Sequence, residues 1–118
     1  MVETNSMRDF QKTSHAIASK LRSVFEPTPL QHNAYLSGLY GAEIYLKRED
    51  LSPVRSYKIR GAFNAMSKAL EAHEKPPLFV CASAGNHAQG VAFMCKHFGV
   101  KGRIFMPITT PQQKIMKT

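Results

Sequence analysis

The chain has 118 residues, 43% of them hydrophobic, and its 16 lysines and arginines against 8 aspartates and glutamates give a formal net charge of +8. This length and composition fit one domain with a modest core and exclude a wholly disordered chain. Because no run of about 18 apolar residues occurs and residues 1–12 carry both charge signs, we expect no membrane span, no secretory signal and a cytoplasmic location.

The positive charge is unevenly spread and has two interpretations. After residue 60 the only acidic residues are Glu71 and Glu74, so the second half of the chain favours anions. The basic residues stand singly, without the clustered and aromatic-interleaved face that follows a phosphate backbone, which argues against nucleic acid. We prefer the alternative that the chain is part of a longer one whose acidic residues lie elsewhere.

Cysteines and histidines give no indication of a metal site. Cys81 and Cys95 stand fourteen positions apart, without a C-x-x-C motif or a second Cys/His cluster. The five histidines also lack the spacing of metal ligands. We therefore expect two reduced, buried thiols and no bound metal.

The N-terminal part predicts one helix and one strand. Apolar residues over 7–24 recur at helical spacing and predict an amphipathic helix that ends before the extended segment Pro27-Thr28-Pro29. Alternation over 42–47 predicts a half-buried strand. The charged cluster Arg48-Glu49-Asp50 that follows is expected to be a solvated strand end.

Helices and strands then alternate: a helix over 60–72, a strand over 78–82, a helix over 88–98 that Gly99 caps, and a strand over 103–106. The run 78–82 is continuously apolar, which predicts a strand buried on both faces of a parallel sheet. Thr109 or Thr110 is expected to cap a last helix with Pro111 at its first position. This order predicts consecutive right-handed βαβ units, that is, an α/β fold with a parallel sheet and flanking helices.

Ligands of open α/β sheets bind beyond the carboxyl ends of the strands, where helix N-termini attract anions. The turn Ser83-Ala84-Gly85-Asn86-His87 lies at such a position. It combines a hydroxyl, a glycine that permits close approach, an amide and a helix start, which suit a carboxylate or a phosphate. In the alternative interpretation, Ser83 or Asn86 simply caps the helix.

Lys58 marks a second candidate loop. It follows Tyr57 and stands just before Arg60 and Gly61, at the start of a predicted helix. A cationic neighbour and apolar walls favour the neutral lysine amine, which is the form that reacts with an aldehyde. The alternative is an ordinary solvated lysine, since most lysines lie at the surface.

Three segments together resemble one enzyme family: Leu46-Lys47-Arg48-Glu49-Asp50-Leu51, Ser56-Tyr57-Lys58-Ile59-Arg60-Gly61-Ala62 and Ser83-Ala84-Gly85-Asn86-His87-Ala88-Gln89-Gly90. In this order and spacing they resemble the tryptophan-synthase-β-like (fold type II) pyridoxal-phosphate enzymes, and within them the threonine dehydratases. The likeness runs from about Thr28 to Ile115. The sequence around Val54 and after Thr109 resembles the biosynthetic, isoleucine-pathway branch. Catabolic dehydratases and serine racemases more often carry Gly-Ser-Phe-Lys at residues 55–58.

The resemblance implies roles for both loops. Lys58 would bind pyridoxal 5'-phosphate through its amine and then remove the Cα proton of the substrate. Tyr57 would pack near the cofactor ring, and Asn86 would hydrogen-bond the 3-hydroxyl oxygen of the ring. Ser83 and the segment Ala84-Gly85-Asn86-His87 would bind the substrate carboxylate. The implied reaction deaminates L-threonine to 2-oxobutanoate and ammonia.

The resemblance also implies an incomplete enzyme. Residues 1–50 would add an N-terminal helix and strand to the larger domain, and residues 51–118 would form most of the smaller α/β domain. The glycine-rich phosphate loop of the family and its residue facing the pyridine nitrogen do not occur in this sequence. We therefore expect the 118 residues to be inactive alone. The parent enzyme is expected to be a homo-oligomer that takes a small amino-acid substrate and has no nucleic-acid or membrane partner.

Two alternative functions remain open. The first is a related enzyme, a catabolic serine/threonine dehydratase or a serine racemase. The second is a non-catalytic module that binds anions or a partner through its positive charge and its N-terminal helix. Salt-dependent retention on DNA would support the second alternative.

Overall fold

The computed structural model describes the backbone of residues 3–118 and the side chains of residues 7–118. In chain order its elements are α1 (Glu3–Leu21), β1 (Leu30–His32), α2 (Ala34–Tyr40), β2 (Tyr45–Lys47), a 3-10 helix (Glu49–Leu51), α3 (Lys58–Ala72), β3 (Phe79–Ala82), α4 (Asn86–Phe98), β4 (Gly102–Phe105) and α5 (Gln112–Met116). The predicted α/β class is confirmed. None of these helices combines the length and apolar character that crossing a membrane requires.

Helices α1, α3 and α4 confirm the predicted helices, and the starts of two of them differ in an informative way. α3 and α4 begin at Lys58 and Asn86, before the predicted starts at residues 60 and 88. Gly99 ends α4 as predicted, with a left-handed φ of 65° that glycine adopts without steric cost. Two of the predicted site residues therefore occupy the first positions of helices.

The start of α5 differs from the prediction. The Thr110 hydroxyl donates to the carbonyl oxygen of Pro107 at 2.7 Å and does not cap the helix. Pro111 holds the N-cap position with ψ 136°, one residue before the helix. The predicted threonine cap is wrong because the hydroxyl closes the preceding turn instead.

Within the described residues the strands pair as two separate two-stranded sheets. β3 and β4 run parallel, with Phe79 opposite Gly102, and α4 connects them, which confirms one predicted βαβ unit. β2 instead pairs antiparallel with β1, which the sequence did not predict, with Leu30 opposite Lys47. The prediction of consecutive βαβ units is therefore wrong for β2, α3 and β3. Pairing with β1 closes only a short loop, so it costs little chain entropy.

A single cluster of apolar side chains joins α3 and α4 to each other. Its buried members are Leu21, Val54, Ile59, Ala62, Phe63, Met66, Val91, Met94 and Cys95. Burial of each large apolar side chain stabilises the fold by roughly 1.5–3 kcal/mol. Among the described side chains of α1, Ile17 and Leu21 toward its C-terminal end reach this core, whereas Met7 and Phe10 are both 72% exposed.

The parallel sheet is covered on one face. Phe79 and Cys81 of β3 are half-buried, whereas Val80 and Ala82 are exposed, and the exposed fraction of Val80 is 57%. The predicted burial on both faces is therefore wrong for the described chain. An apolar run indicates that a strand is buried, but it does not indicate which of its faces packs against another element.

Both cysteines are free, as predicted, with Cys95 buried and Cys81 half-buried. Burial raises the pKa of both thiols. Within residues 7–118 no group of three or more His, Cys, Asp or Glu side chains is arranged to hold a metal ion. The division of the chain after residue 50 stays a prediction.

Candidate active site

The turn between β3 and α4 leaves the start of α4 open. The Ser83 hydroxyl oxygen accepts a hydrogen bond from the Gly85 N–H at 3.2 Å, which closes the turn. Gly85 is the N-cap residue, and no side chain caps the helix, so the interpretation of Ser83 or Asn86 as the cap is wrong. The N–H groups of residues 86–88 have no acceptor among the described residues. They can therefore donate to an anion.

Gly90 brings Lys58 next to this helix start. A Cβ atom on Gly90 would lie 3.2 Å from both the carbonyl carbon and the carbonyl oxygen of Lys58. The first turn of α3 thus rests on α4 about one helical turn after Asn86. The two predicted loops are neighbours in the fold.

The Lys58 amine is not used in a structural ion pair. Among residues 7–118 the Lys58 Nζ has no hydrogen-bond or salt-bridge partner, and it lies 5.3 Å from the centre of the Tyr57 ring. The Lys58 side chain is half-buried, whereas Tyr57 is 61% exposed. A half-buried amine without a partner remains available to a ligand.

A short loop of serine contacts leads into Lys58. The Ser52 hydroxyl donates to the Ser56 carbonyl oxygen at 2.9 Å and accepts from the Ser56 N–H at 3.0 Å. Arg55 adopts a left-handed φ of 54° within this loop. The buried Ser56 hydroxyl has no partner among the described residues. This tight conformation sets the direction in which the chain enters α3.

Glu49 is half-buried and paired, so its prediction as a solvated strand end is wrong. Arg60 donates from Nε to Glu49 Oε2 and from Nη2 to Oε1, each at 2.8 Å. The Thr28 hydroxyl donates to the same carboxylate. Hydrogen bonding to Arg60 lowers the pKa of Glu49. Sequence spacing carried no signal of this contact, because the partners belong to different elements.

The same pairing changes the expected role of Arg60. Its guanidinium is directed at Glu49 and lies 5.3 Å from the centre of the Phe25 ring. Side chains two positions apart on a helix do not face each other, and the Arg60 charge is paired with Glu49. An effect of Arg60 on the Lys58 amine stays a prediction.

One of the predicted site residues lines a cleft in the described part of the chain. This cleft, of about 610 Å³, is lined by Asn86 together with Arg55, Phe93 and residues 116–118, but not by Lys58. His87 is exposed beside Asn86 at the start of α4. The candidate site therefore lies where α3 meets the open end of α4, and the cleft adjoins it through Asn86.

A family model described as pyridoxal-phosphate dependent enzyme matches residues 21–118. The chain belongs to this family. The match includes both loops of the site, and the fold of the described residues agrees with it.

Curated relatives of the family are similar to most of this chain. The chain is 58% identical over 95 residues to a biosynthetic L-threonine dehydratase of Bacillus subtilis and 57% identical over 96 residues to one of Corynebacterium glutamicum. These alignments cover 80% and 81% of this chain but 22% of each relative. The chain therefore spans about a fifth of the length of these relatives.

Solved structures of the family share the fold. The processed form of threonine deaminase isoform 2 from Solanum lycopersicum is similar with a TM-score of 0.77 and 42% identity, over 92% of this chain and 30% of that chain. An aspartate racemase is similar with a TM-score of 0.83 and 30% identity, over 90% and 33% of the two chains. The names of both proteins state a reaction of an amino acid.

The residues present are suited to bind part of pyridoxal phosphate, the cofactor in the name of the family. Lys58 is half-buried, and its amine, which has no ionic or hydrogen-bond partner among residues 7–118, suits the aldehyde of pyridoxal phosphate. The Asn86 amide and the open end of α4 supply hydrogen-bond donors. The sequence has no glycine-rich run that would hold the phosphate group. The fit therefore covers the reactive end of the cofactor.

Proposed function

We propose that this chain is the N-terminal part of a pyridoxal-phosphate-dependent threonine dehydratase that converts L-threonine to 2-oxobutanoate and ammonia. The observation that carries the proposal is the packing of the Lys58 turn against α4 beside its uncapped N-terminus. The identity to biosynthetic threonine dehydratases supports the choice of substrate.

The residues of the site have complementary tasks in this proposal. The N–H groups at the start of α4, with Ser83, bind the substrate carboxylate. Asn86 and Tyr57 hold the cofactor ring, and Lys58 binds the cofactor through its amine. When bound, the cofactor withdraws electrons from the substrate Cα.

Lys58 then moves the proton. A carboxylate held at the start of α4 keeps Cα close to Lys58, because the two helix starts are packed together at Gly90. Once the substrate amine had replaced the Lys58 amine on the cofactor, the freed Lys58 amine would take the Cα proton, and the β-hydroxyl would leave together with a proton as water. A second water then releases ammonia and leaves 2-oxobutanoate, so the overall reaction neither gains nor loses water.

Lys58→Ala in the full-length protein tests the proposal. We expect the visible absorption that pyridoxal phosphate gains on binding to an amine of the protein to disappear, together with ketoacid formation from threonine. Lys68→Ala is the matched control, since Lys68 is an exposed lysine on the same helix. Retention of both the absorption and turnover by Lys58→Ala would refute the proposal.

A related enzyme is the second candidate, and the similarity to a racemase structure supports it. Rates with threonine and serine, and chiral analysis of the amino acid that remains, separate the candidates. A threonine dehydratase yields ketoacid faster from threonine, whereas a racemase accumulates the D-enantiomer.

Three further expectations remain proposals. We expect the 118 residues alone to be inactive, the parent enzyme to be a homo-oligomer, and its location to be cytoplasmic. A non-catalytic module would instead show salt-dependent retention on DNA and no ketoacid formation.

A further inference from the structure

Three residues from separate parts of the chain meet beside the first turn of α3, and we call them the anchor cluster: Thr28, Glu49 and Arg60. Arg60 binds both oxygens of the Glu49 carboxylate and also donates to the Thr28 hydroxyl at 3.3 Å. The Thr28 hydroxyl donates in turn to Glu49. Lys47 contributes from β2, where its Nζ donates to the carbonyl oxygen of Thr28.

The anchor cluster is better shielded from water than the other ion pairs between lysine or arginine and an acidic side chain in residues 7–118. The side chains of Arg60 and Glu49 are 31% and 17% exposed, and Thr28 is 5% exposed. The Lys20 and Glu71 side chains, by comparison, are 54% and 64% exposed. Partly buried pairs are screened less by salt and hold a more definite geometry than exposed ones.

The position of the anchor cluster relates it to the candidate catalytic amine. Arg60 lies in the first turn of α3, two residues after Lys58. No side chain caps that turn, since Tyr57 at the N-cap makes no side-chain capping bond. The bidentate bond from Arg60 therefore links the turn that carries Lys58 to the 3-10 helix and to the segment before β1.

We propose that Thr28, Glu49 and Arg60 are positioning residues that hold the first turn of α3, and with it Lys58, in a fixed position beside α4. This inference rests on the proposed function. Gly90 sets the distance between the two helix starts, and the anchor cluster sets the rotation of α3 about its axis. A displacement of about 1 Å at a reacting group can cost 100-fold in rate, so a small rotation has a measurable effect.

Glu49→Gln and Arg60→Lys in the full-length protein test the inference. Both variants keep a hydrogen-bonding side chain. Glu49→Gln removes the negative charge, and Arg60→Lys keeps the positive charge but loses the fork that makes two parallel hydrogen bonds. We expect kcat to fall by about 10- to 100-fold with a change in KM below about 3-fold, and the visible absorption of the bound cofactor to shift. The controls are Asp50→Asn, which breaks a bidentate pair with Arg48 that does not reach α3, and Glu71→Gln, which breaks a pair at the other end of α3. We expect both controls to keep wild-type kcat and absorption.

Two variants of Thr28 provide a second test if Glu49→Gln or Arg60→Lys fails to fold. Thr28→Val removes the hydroxyl and retains the ion pair, and we expect a fall in kcat of several-fold. Thr28→Ser restores the hydroxyl and should restore kcat and the absorption.

The outcomes separate a positioning role from a purely structural one and from a failure of the proposed function. A lower melting temperature with unchanged kcat per bound cofactor in all anchor variants would overturn the inference. Loss of the absorption in Lys58→Ala, with wild-type behaviour of the anchor variants, would support the proposed function and overturn the positioning inference. Retention of absorption and turnover by Lys58→Ala would remove the basis of both.

Discussion

Lys58 owes its position to its neighbours in sequence and in space. On one side stands the loop closed by the double hydrogen bond between Ser52 and Ser56. On the other side Arg60 fixes the first helical turn to Glu49. The amine itself has no partner among the described residues, so the protein holds the backbone of Lys58 and leaves its side chain available.

Arg55 carries a backbone conformation that non-glycine residues rarely adopt. Its φ of 54° brings the Cβ atom close to the backbone, which costs roughly 1–2 kcal/mol. Glycine adopts this conformation without that cost. Arg55 lies within the loop that the hydrogen bonds between Ser52 and Ser56 close.

We predict that the free energy of unfolding of Arg55→Gly exceeds that of Arg55→Ala by about 1 kcal/mol. Both variants remove the same side chain, and only alanine keeps the Cβ atom at the left-handed φ. Urea denaturation of the two variants side by side measures the difference. Equal free energies of unfolding would show that the loop relaxes around a Cβ atom without cost.

At the level of elements, the first turn of α3 packs on α4 about one helical turn after Asn86, and this contact forms the candidate site. The contact between α3 and α4 is tight at Gly90, since a Cβ atom there would lie 3.2 Å from the carbonyl carbon and oxygen of Lys58. Gly61 on α3, in contrast, has no atom within 4 Å of a Cβ position. Gly90 therefore lies at the contact between the two helices, whereas Gly61 does not.

Gly90→Ala is predicted to destabilise the protein by about 1–3 kcal/mol, because backbone atoms must move to admit the methyl group. Gly61→Ala is the matched control and should stabilise it by up to about 1 kcal/mol through helix propensity. Thermal denaturation of both variants gives the comparison. In Gly90→Ala we also expect lower turnover of threonine, since Lys58 moves with α3. A stable and fully active Gly90→Ala would contradict the close packing.

At the level of the whole molecule, polar contacts fasten the N-terminal segment to the helical core. Thr28 precedes β1, Glu49 follows β2, and Arg60 lies on α3. The apolar core adds Leu21 from α1 but no residue of β1 or β2. The small antiparallel sheet therefore depends on the charged contact more than the rest of the fold does.

This contact predicts an acid dependence of stability. The pKa of Glu49 is lowered in the folded protein by Arg60, so its stabilisation is complete above the ordinary value of 4.5 and is lost as the pH falls through the lower, folded pKa. The destabilisation caused by Glu49→Gln should thus be large at neutral pH and disappear in acid. Denaturation of the full-length protein between neutral and acidic pH measures it. Asp50→Asn is the control, and its effect should be smaller because Asp50 is exposed.

Sequence patterns predicted those elements whose periodicity is long and regular. Helices α3 and α4 followed from apolar spacing, and the end of α4 from Gly99. The three-residue strand β1 and the helix α2 were missed, because they are short and their apolar residues have no clear period. The burial of β3 on one face could not be predicted, since it depends on which element lies opposite.

The amino-acid sequence by itself determined the α/β class, helices α3 and α4 apart from the first two residues of each, and the likeness to an enzyme family, because these follow from local spacing and from residue types in order. Only the tertiary structure decided that Gly90 receives the Lys58 backbone and that Arg60 pairs with Glu49. Both contacts join residues that are distant in the chain. They arise from the way in which α3 packs on α4 and against the 3-10 helix, and no local pattern encodes that geometry.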